Sequence, residues 1–227
     1  HRRRRLRAAP DRGVGPTPVA TGRPLTDAEI VGAAVRRLWG YLDVDGDGIG
    51  YRTLPGTHPE KGAFFTRGTS RDEFAAYTES PEAYERNMQR LELKWQTIRG
   101  LVPAAEIDDQ RRRGGVLFYG TTAVPIPEAL DLLHVDGIAL DSCRVRAFPF
   151  GTEVEAFVQE HDLVFVVEQN RDAQMRTLLI NELQTAPAKL VPVLYYAGLS
   201  ISADTIYQQI NEYFTANKLS RISEVQS

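Results

Sequence analysis

Three aspartates stand two residues apart in the run Asp43, Val44, Asp45, Gly46, Asp47, Gly48. Carboxylates at this spacing, with a glycine for the turn, open the calcium loop of an EF-hand. Converging like charges repel unless a cation holds them. The run departs from that loop at its twelfth position, Leu54, where a bidentate glutamate belongs, and the PGTHPEKG beyond it cannot form the exit helix. We read the run as a polar turn and no metal site, with a cation site at Asp43, Asp45 and Asp47 as the alternative. Next come Arg52, Lys61, Arg67 and Arg71, set among Gly, Pro, Thr and aromatic residues. Cations on such an irregular segment suit a carboxylate or phosphate, and we read them as functional rather than as an ordinary surface loop.

A third cluster lies further on. Thr121 and Thr122 follow the apolar run GGVLFYG; Glu168, Gln169, Asn170 and Arg171 close the run LVFVVEQN, and Gln174 follows shortly after. Both groups fall at the carboxyl ends of predicted strands, the edge where open α/β sheets bind ligands. There Glu168 is an acid or base if buried. The alternative is that Asn170 caps the next helix with its side-chain oxygen. There is no G-x-G-x-x-G, and the helix after Thr122 opens Ala123-Val124-Pro125-Ile126-Pro127, so a tight strand-to-helix turn is preferred to a dinucleotide site. No histidine pair has metal-ligand spacing. His134 and His161 fall at predicted helix ends, where a cation is favoured. No catalytic nucleophile or general base can be named.

The elements that carry these residues fall into two textures. Leu25–Leu42 has Thr26 and Glu29 as a capping box and Ile30, Ala33, Ala34, Leu38 and Leu42 at helical spacing. Pro81–Leu101 repeats the pattern with Tyr84, Met88, Leu91, Trp95 and Ile98 on one face. Asp108–Gly115 reads as a charged linker. Beyond it, apolar runs GGVLFY, CRVRAFPF, LVFVVE and KLVPVLYY alternate with helical stretches Pro127–Leu133, Glu153–Glu160, Asp172–Leu183 and Ala203–Phe214. This βαβ series predicts an α/β fold: a three-layer, doubly wound, mainly parallel sheet preceded by a helix-and-loop segment. The expected divisions are a basic arm (1–24), the helix/loop segment and linker (25–113), the α/β domain (114–217) and a tail (218–227).

Composition narrows the classes. The 227 residues carry a formal charge of −3, which argues against nucleic acid as a partner of the whole chain. Charge is uneven: residues 1–23 hold seven arginines against the single Asp11, and we read this Pro/Gly-rich arm as disordered. The apolar runs fall short of the roughly 20 residues a membrane span needs. The single cysteine, Cys143, excludes a disulfide framework or a thiolate-held zinc or iron–sulfur site made by this chain alone. The chain opens on His1 without methionine, which suggests a fragment or a processed product.

The segments GYRTLPGTHPEKGAFFTRGTSRDEFAAYTE, CRVRAFPFGTEVEAF and VVEQNRDAQMRTLL resemble the alpha subunit of 2-oxoacid:ferredoxin oxidoreductases, of the 2-oxoglutarate type, over Thr26 to Ile210. The resemblance implies that residues from Gly115 on match the transketolase C-terminal domain and that the earlier ones end the pyrimidine-binding domain. It further implies an enzyme, cytoplasmic, that decarboxylates a 2-oxoacid on thiamine diphosphate and Mg. Electrons pass through [4Fe-4S] clusters to ferredoxin, and the acyl group passes to coenzyme A. The implied partner is a beta subunit. Arg52, Lys61 and Arg67 would lie near the substrate or coenzyme A path. No Tyr-Pro-Ile-Thr-Pro-like motif is present. We therefore expect a C-terminal piece of the subunit, inactive alone and binding none of these cofactors by itself. The alternative is a non-catalytic α/β assembly module with a degenerate calcium loop.

Overall fold

The computed structural model describes residues 41, 43, 46–50, 70–73 and 76–219. The arginine arm, nearly all of the Leu25–Leu42 pattern and most of the tail lie outside the described residues, as do Asp45, Arg52, Lys61 and Arg67. Two compact units divide between Leu101 and Val102.

The first unit carries helix α1, Pro81–Arg99. Its start is built locally: Ser80 Oγ accepts from Ala83 N at 3.2 Å, and Pro81 takes a first-turn position that needs no N–H. The apolar stripe read from the sequence is present, but Tyr84, Met88, Leu91 and Trp95 keep 41–51% of their surface exposed.

The second unit is the α/β domain. Its elements are β1 (Glu106–Asp108), β2 (Gly114–Tyr119), a 3-10 turn (Gly120–Ala123), α2 (Ile126–Val135), β3 (Asp141–Val145), α3 (Thr152–Glu160), β4 (Leu163–Glu168), α4 (Gln174–Leu183), β5 (Leu190–Leu194) and α5 (Ala203–Ala216). The strands lie in the order β1-β3-β2-β4-β5, with β1 antiparallel and the rest parallel. Leu117 sits opposite Cys143 on one side and Val166 on the other. The predicted three-layer sandwich is what forms.

Period-two geometry splits β4 between two cores. Phe165 and Val167 join Ala129 and Leu133 of α2 and Ile206 and Ile210 of α5. Val164 and Val166 join Val154, Phe157 and Val158 of α3 and Leu179 of α4. A strand buried on both faces reads as a continuous apolar run, which is why LVFVVE announces itself. Phe165 is anchored further by Tyr213, edge-on at 5.3 Å, and Phe214, stacked at 5.8 Å.

The stretch expected as a charged linker is structured instead. Asp108 ends edge strand β1, Gly114 and Gly115 begin β2, and the amides of Gln110 and Arg112 donate to the Asp141 carboxylate at 2.9 and 2.8 Å. No period could reveal this, because β1 is three residues long and exposed throughout. At the other edge β5 contains Pro192, tolerated where one side of the strand has no ladder to complete.

Gly115 must be small. A Cβ there would stand 2.6 Å from Phe157 Cζ and 3.2 Å from His161 Cδ2. We expect Gly115→Ala to cost about 1–3 kcal/mol in chemical denaturation, the range for overpacking a tight interior. An unchanged midpoint would contradict the close approach. Burial, helped by the Glu153 charge, pushes the Cys143 thiol up to about 12. Thiolate is the reactive species, so a thiol reagent at neutral pH should label Cys143 only as the chain unfolds. Stoichiometric labelling of the folded chain would refute this.

Candidate functional site

The winding of the sheet reverses between β2 and β4. The chain leaves β2 toward β3 on one side and leaves β4 toward β5 on the other. This creates a crevice at the carboxyl edge, the place where doubly wound folds receive ligands. Thr121, Thr122, Glu168 and Asn170 do converge there.

Glu168 is wholly buried. Its Oε2 accepts from Asn170 Nδ2 at 2.6 Å and from Met175 N at 2.8 Å, and its Oε1 accepts from Arg176 N at 3.1 Å. Two of these donors are first-turn amides of α4, so the carboxylate stands at the positive end of the helix, where negative charge is stabilised. Asn170 caps the same helix, its Oδ1 accepting from Asp172 N at 3.1 Å and Gln174 N at 3.2 Å. The capping alternative for Asn170 is thus the structural one. Gln174 contributes its backbone amide, and its side chain is exposed.

Gln169, which sequence reasoning placed at the strand end without assigning it a role, spans the crevice. Its Nε2 donates to Thr121 Oγ1 and Thr122 Oγ1, each at 3.1 Å, and its Oε1 accepts from Ile201 N at 3.3 Å. One amide side chain therefore joins the loops that follow β2, β4 and β5. Nearby, Tyr119 has its hydroxyl raised above the ordinary tyrosine range, by burial first and then by the Glu168 charge, with the Asn170 hydrogen bond opposing. Val124, Tyr196 and Leu199, on loops leaving this edge, are 81%, 67% and 77% exposed.

This arrangement does not fit a pyrophosphate. A phosphate at a helix N-terminus needs free amides and no competing anion, and the first amides of α4 already serve Glu168. The start of α2 carries Pro125 and Pro127, which have no N–H to offer. The first amides of α4 and the amide of Gln169 are engaged by the chain's own groups.

Of the aspartate run in the first unit, Asp43 and Asp47 lie among the described residues, and both hold amides of their own loop. Asp43 accepts from Gly46 N and Gly48 N, both at 2.9 Å, and Asp47 Oδ1 accepts from Ile49 N at 2.7 Å. The loop carbonyls are tied to α1: Arg90 Nη1 donates to Gly48 O at 2.8 Å and Thr97 Oγ1 to Asp47 O at 2.6 Å. Gly48 has φ +79°, and a Cβ there would fall 2.2 Å from Lys94 N. The polar turn is a packing device against the helix.

Comparison with known proteins follows from this fold. No protein-family model matches the chain. It is 32% identical over 118 residues to subunit alpha of 2-oxoacid:ferredoxin oxidoreductase 2 from Aeropyrum pernix, a match covering 49% of this chain and 18% of that relative. The chain thus spans under a fifth of the length of the curated relative it matches. Its fold is shared with a solved 2-oxoglutarate:ferredoxin oxidoreductase from Magnetococcus marinus, with TM-score 0.65 and 20% identity over 79% of this chain and 31% of that one. The alpha chain of a probable 2-oxoacid ferredoxin oxidoreductase from Thermoplasma acidophilum aligns at TM-score 0.34 and 23% identity, covering 49% of this chain and 97% of that one. The resemblance read from the sequence and the α/β fold both stand.

Replacing Glu168 tests this engagement. Glu168→Gln sets an amide NH2 against donors that need an acceptor, and the cost of an unsatisfied buried group is about 1–3 kcal/mol. We expect that loss in chemical denaturation, with faster hydrogen exchange at Met175 and Arg176. Wild-type stability and exchange would show that the carboxylate is not what holds α4.

Proposed function

We propose that this chain is the transketolase-C-terminal-like portion of the alpha subunit of a 2-oxoacid:ferredoxin oxidoreductase that uses thiamine diphosphate. Its substrate is 2-oxoglutarate, its product an acyl-CoA, and its electrons pass to ferredoxin through [4Fe-4S] clusters. The observation that carries this reading is the 32% identity over 118 residues to an alpha subunit of that enzyme. The choice of 2-oxoglutarate is supported by the fold shared with an enzyme solved with 2-oxoglutarate, coenzyme A and succinyl-CoA bound. The hard chemistry belongs to the cofactors, and protein supplies binding and orientation.

Within that enzyme the α/β domain is a scaffold. Gln169 and Glu168 tie the loops and the start of α4 at its carboxyl edge, which supports a contribution of shape and surface. Val124, Tyr196 and Leu199 give the carboxyl edge an apolar rim suited to the rest of the subunit or to the beta subunit. Arg52, Lys61 and Arg67 are assigned to the substrate or coenzyme A path. A cytoplasmic location belongs to this proposal through the family resemblance alone. Separately, no helix among the described residues is long and apolar enough to cross a membrane.

Reconstitution tests the proposal. Combined with the remaining alpha-subunit domains and the beta subunit, the chain should support ferredoxin reduction that depends on 2-oxoglutarate and coenzyme A. The chain alone should support none. In that assembly Arg52→Ala and Arg67→Ala should each lower kcat/KM about ten- to a hundredfold, the scale of a lost charged hydrogen bond. Full activity of both variants would overturn the site assignment. Turnover of no 2-oxoacid by the assembly would overturn the function.

A further inference from the structure

At the amino edge of the sheet three metal-ligating side chains meet that the function above does not use. Asp141 opens β3, His161 follows α3, and Asp109 stands on the loop between β1 and β2. One ligand atom from each lies within 4.8 Å of the others. Asp141 and His161 are 1% and 3% exposed, while Asp109 is exposed, so its side chain can swing to close the set. His161 Nε2 lies 3.2 Å from Asp141 Oδ2. Two atoms each about 2.1 Å from a shared Zn²⁺ stand roughly 3.0–3.4 Å apart, so this pair already has the spacing of neighbouring ligands.

The histidine points to an ion rather than to packing alone. Its Nδ1 lies 2.7 Å from the carbonyl oxygen of Phe157. A neutral imidazole carries one N–H, and the carbonyl, which can only accept, takes it. Nε2 is then left with a lone pair, inside the protein and aimed at a carboxylate. Ligating histidines are held in this way, with the second ring nitrogen donating to a backbone carbonyl or a carboxylate. The ring is kept in this pose by the Phe157 side chain, centroid to centroid 4.2 Å, and by Gly115, where a Cβ would stand 3.2 Å from His161 Cδ2. Asp109 and Asp141 also stand within hydrogen-bond reach of each other. Carboxylates so close repel unless a proton or a cation joins them.

We propose that Asp109, Asp141 and His161 bind a divalent transition-metal cation, of which Zn²⁺ fits their chemistry best. An imidazole beside two carboxylates suits such an ion better than Mg²⁺ or Ca²⁺, which take oxygen ligands. Three protein ligands leave a position open to water, and a cleft of about 580 Å³ beside His161 gives the way in. Its lining sets Asp109, Glu160 and Asp162 against Arg111, Arg112 and Arg113, so its formal charge balances. Both carboxylates are oriented by backbone. Asp141 accepts Gln110 N at 2.9 Å and Arg112 N at 2.8 Å, and Asp109 Oδ1 accepts Arg111 N at 2.7 Å. A carboxylate oxygen has lone pairs for an amide and a metal together. Arg112 Nε stands 3.7 Å from Asp141 Oδ1, the oxygen other than the one nearest His161, and Arg113 Nε pairs with Asp162 at 2.7 Å. The ion ties the β1–β2 loop and the start of β3 to the end of α3.

The test uses the full chain, stripped with a chelator and titrated with Zn²⁺ in a calorimeter. One ion should bind per chain. In the 15N-histidine-labelled chain, Zn²⁺ should shift the His161 Nε2 resonance and leave Nδ1 protonated. Hydrogen exchange at Gln110 and Arg112 should slow on loading, with the amides of β4 unchanged. His161→Gln and Asp109→Asn should each weaken binding by about a hundredfold or more, since loss of an outer-shell partner alone costs roughly 10–100-fold. His161→Gln leaves His1, His58 and His134 in place, so wild-type affinity in that variant puts the ion elsewhere and overturns the site. Asp109 is exposed, so Asp109→Asn decides the matter if the His161 variant fails to fold. Wild-type affinity there overturns the site as well. So does a wild-type chain that binds no Zn²⁺, or an Nε2 resonance that ignores the ion, because the triad then holds a proton only.

Discussion

A carboxylate removed from water must find donors inside the protein, and this domain meets that demand at both ends of its parallel sheet. At the carboxyl edge Glu168 is ringed by two amides and an asparagine NH2. At the amino edge Asp141 is ringed by two amides, a guanidinium and an imidazole. Desolvation makes each group expensive unless its oxygens are occupied. Each therefore dictates the conformation of the segment that supplies its donors: the start of α4 in one case, the loop after β1 in the other. The apolar cores hold the layers together, and the two carboxylates decide how the connecting segments are set.

The doubly wound architecture was legible because its evidence is periodic. LVFVVE is continuous and apolar because β4 is buried on both faces, and helices α2 to α5 show the spacing that buries one stripe. What periodicity cannot show is which polar residue faces inward. Glu168 and Asn170 were identifiable as strand-end candidates from position alone, but whether they bind a ligand or cap a helix depends on where the amides of Met175 and Arg176 point. Gln169 carried no signal in the sequence beyond its neighbours, since its role arises from three loops meeting. Asp141 opens β3 and His161 follows α3, twenty residues on, and only the fold makes them a pair. The linker reading of Asp108–Gly115 failed for the same reason: charged residues are solvated until a buried acid claims their backbone.

The scaffold and the proposed enzyme agree in their division of labour. Doubly wound domains often place a ligand at the reversal of strand order, and here Gln169 links the three loops that meet at that reversal. Near α1, Asp43 and Asp47 likewise accept amides of their own loop. The exposed Val124, Tyr196 and Leu199 mark where the carboxyl edge is apolar.

The borders of the sheet limit how that exterior can be used. A free strand edge is a template on which another chain can build a further strand, in specific complexes and in fibrils alike. Here β1 offers three exposed residues, and β5 interrupts its row of amides at Pro192. Lateral growth of the sheet is thus discouraged on both sides. Partners are left to approach through side chains at the sheet's ends or across the helices, where fit depends on which side chains stand there rather than on backbone pairing alone.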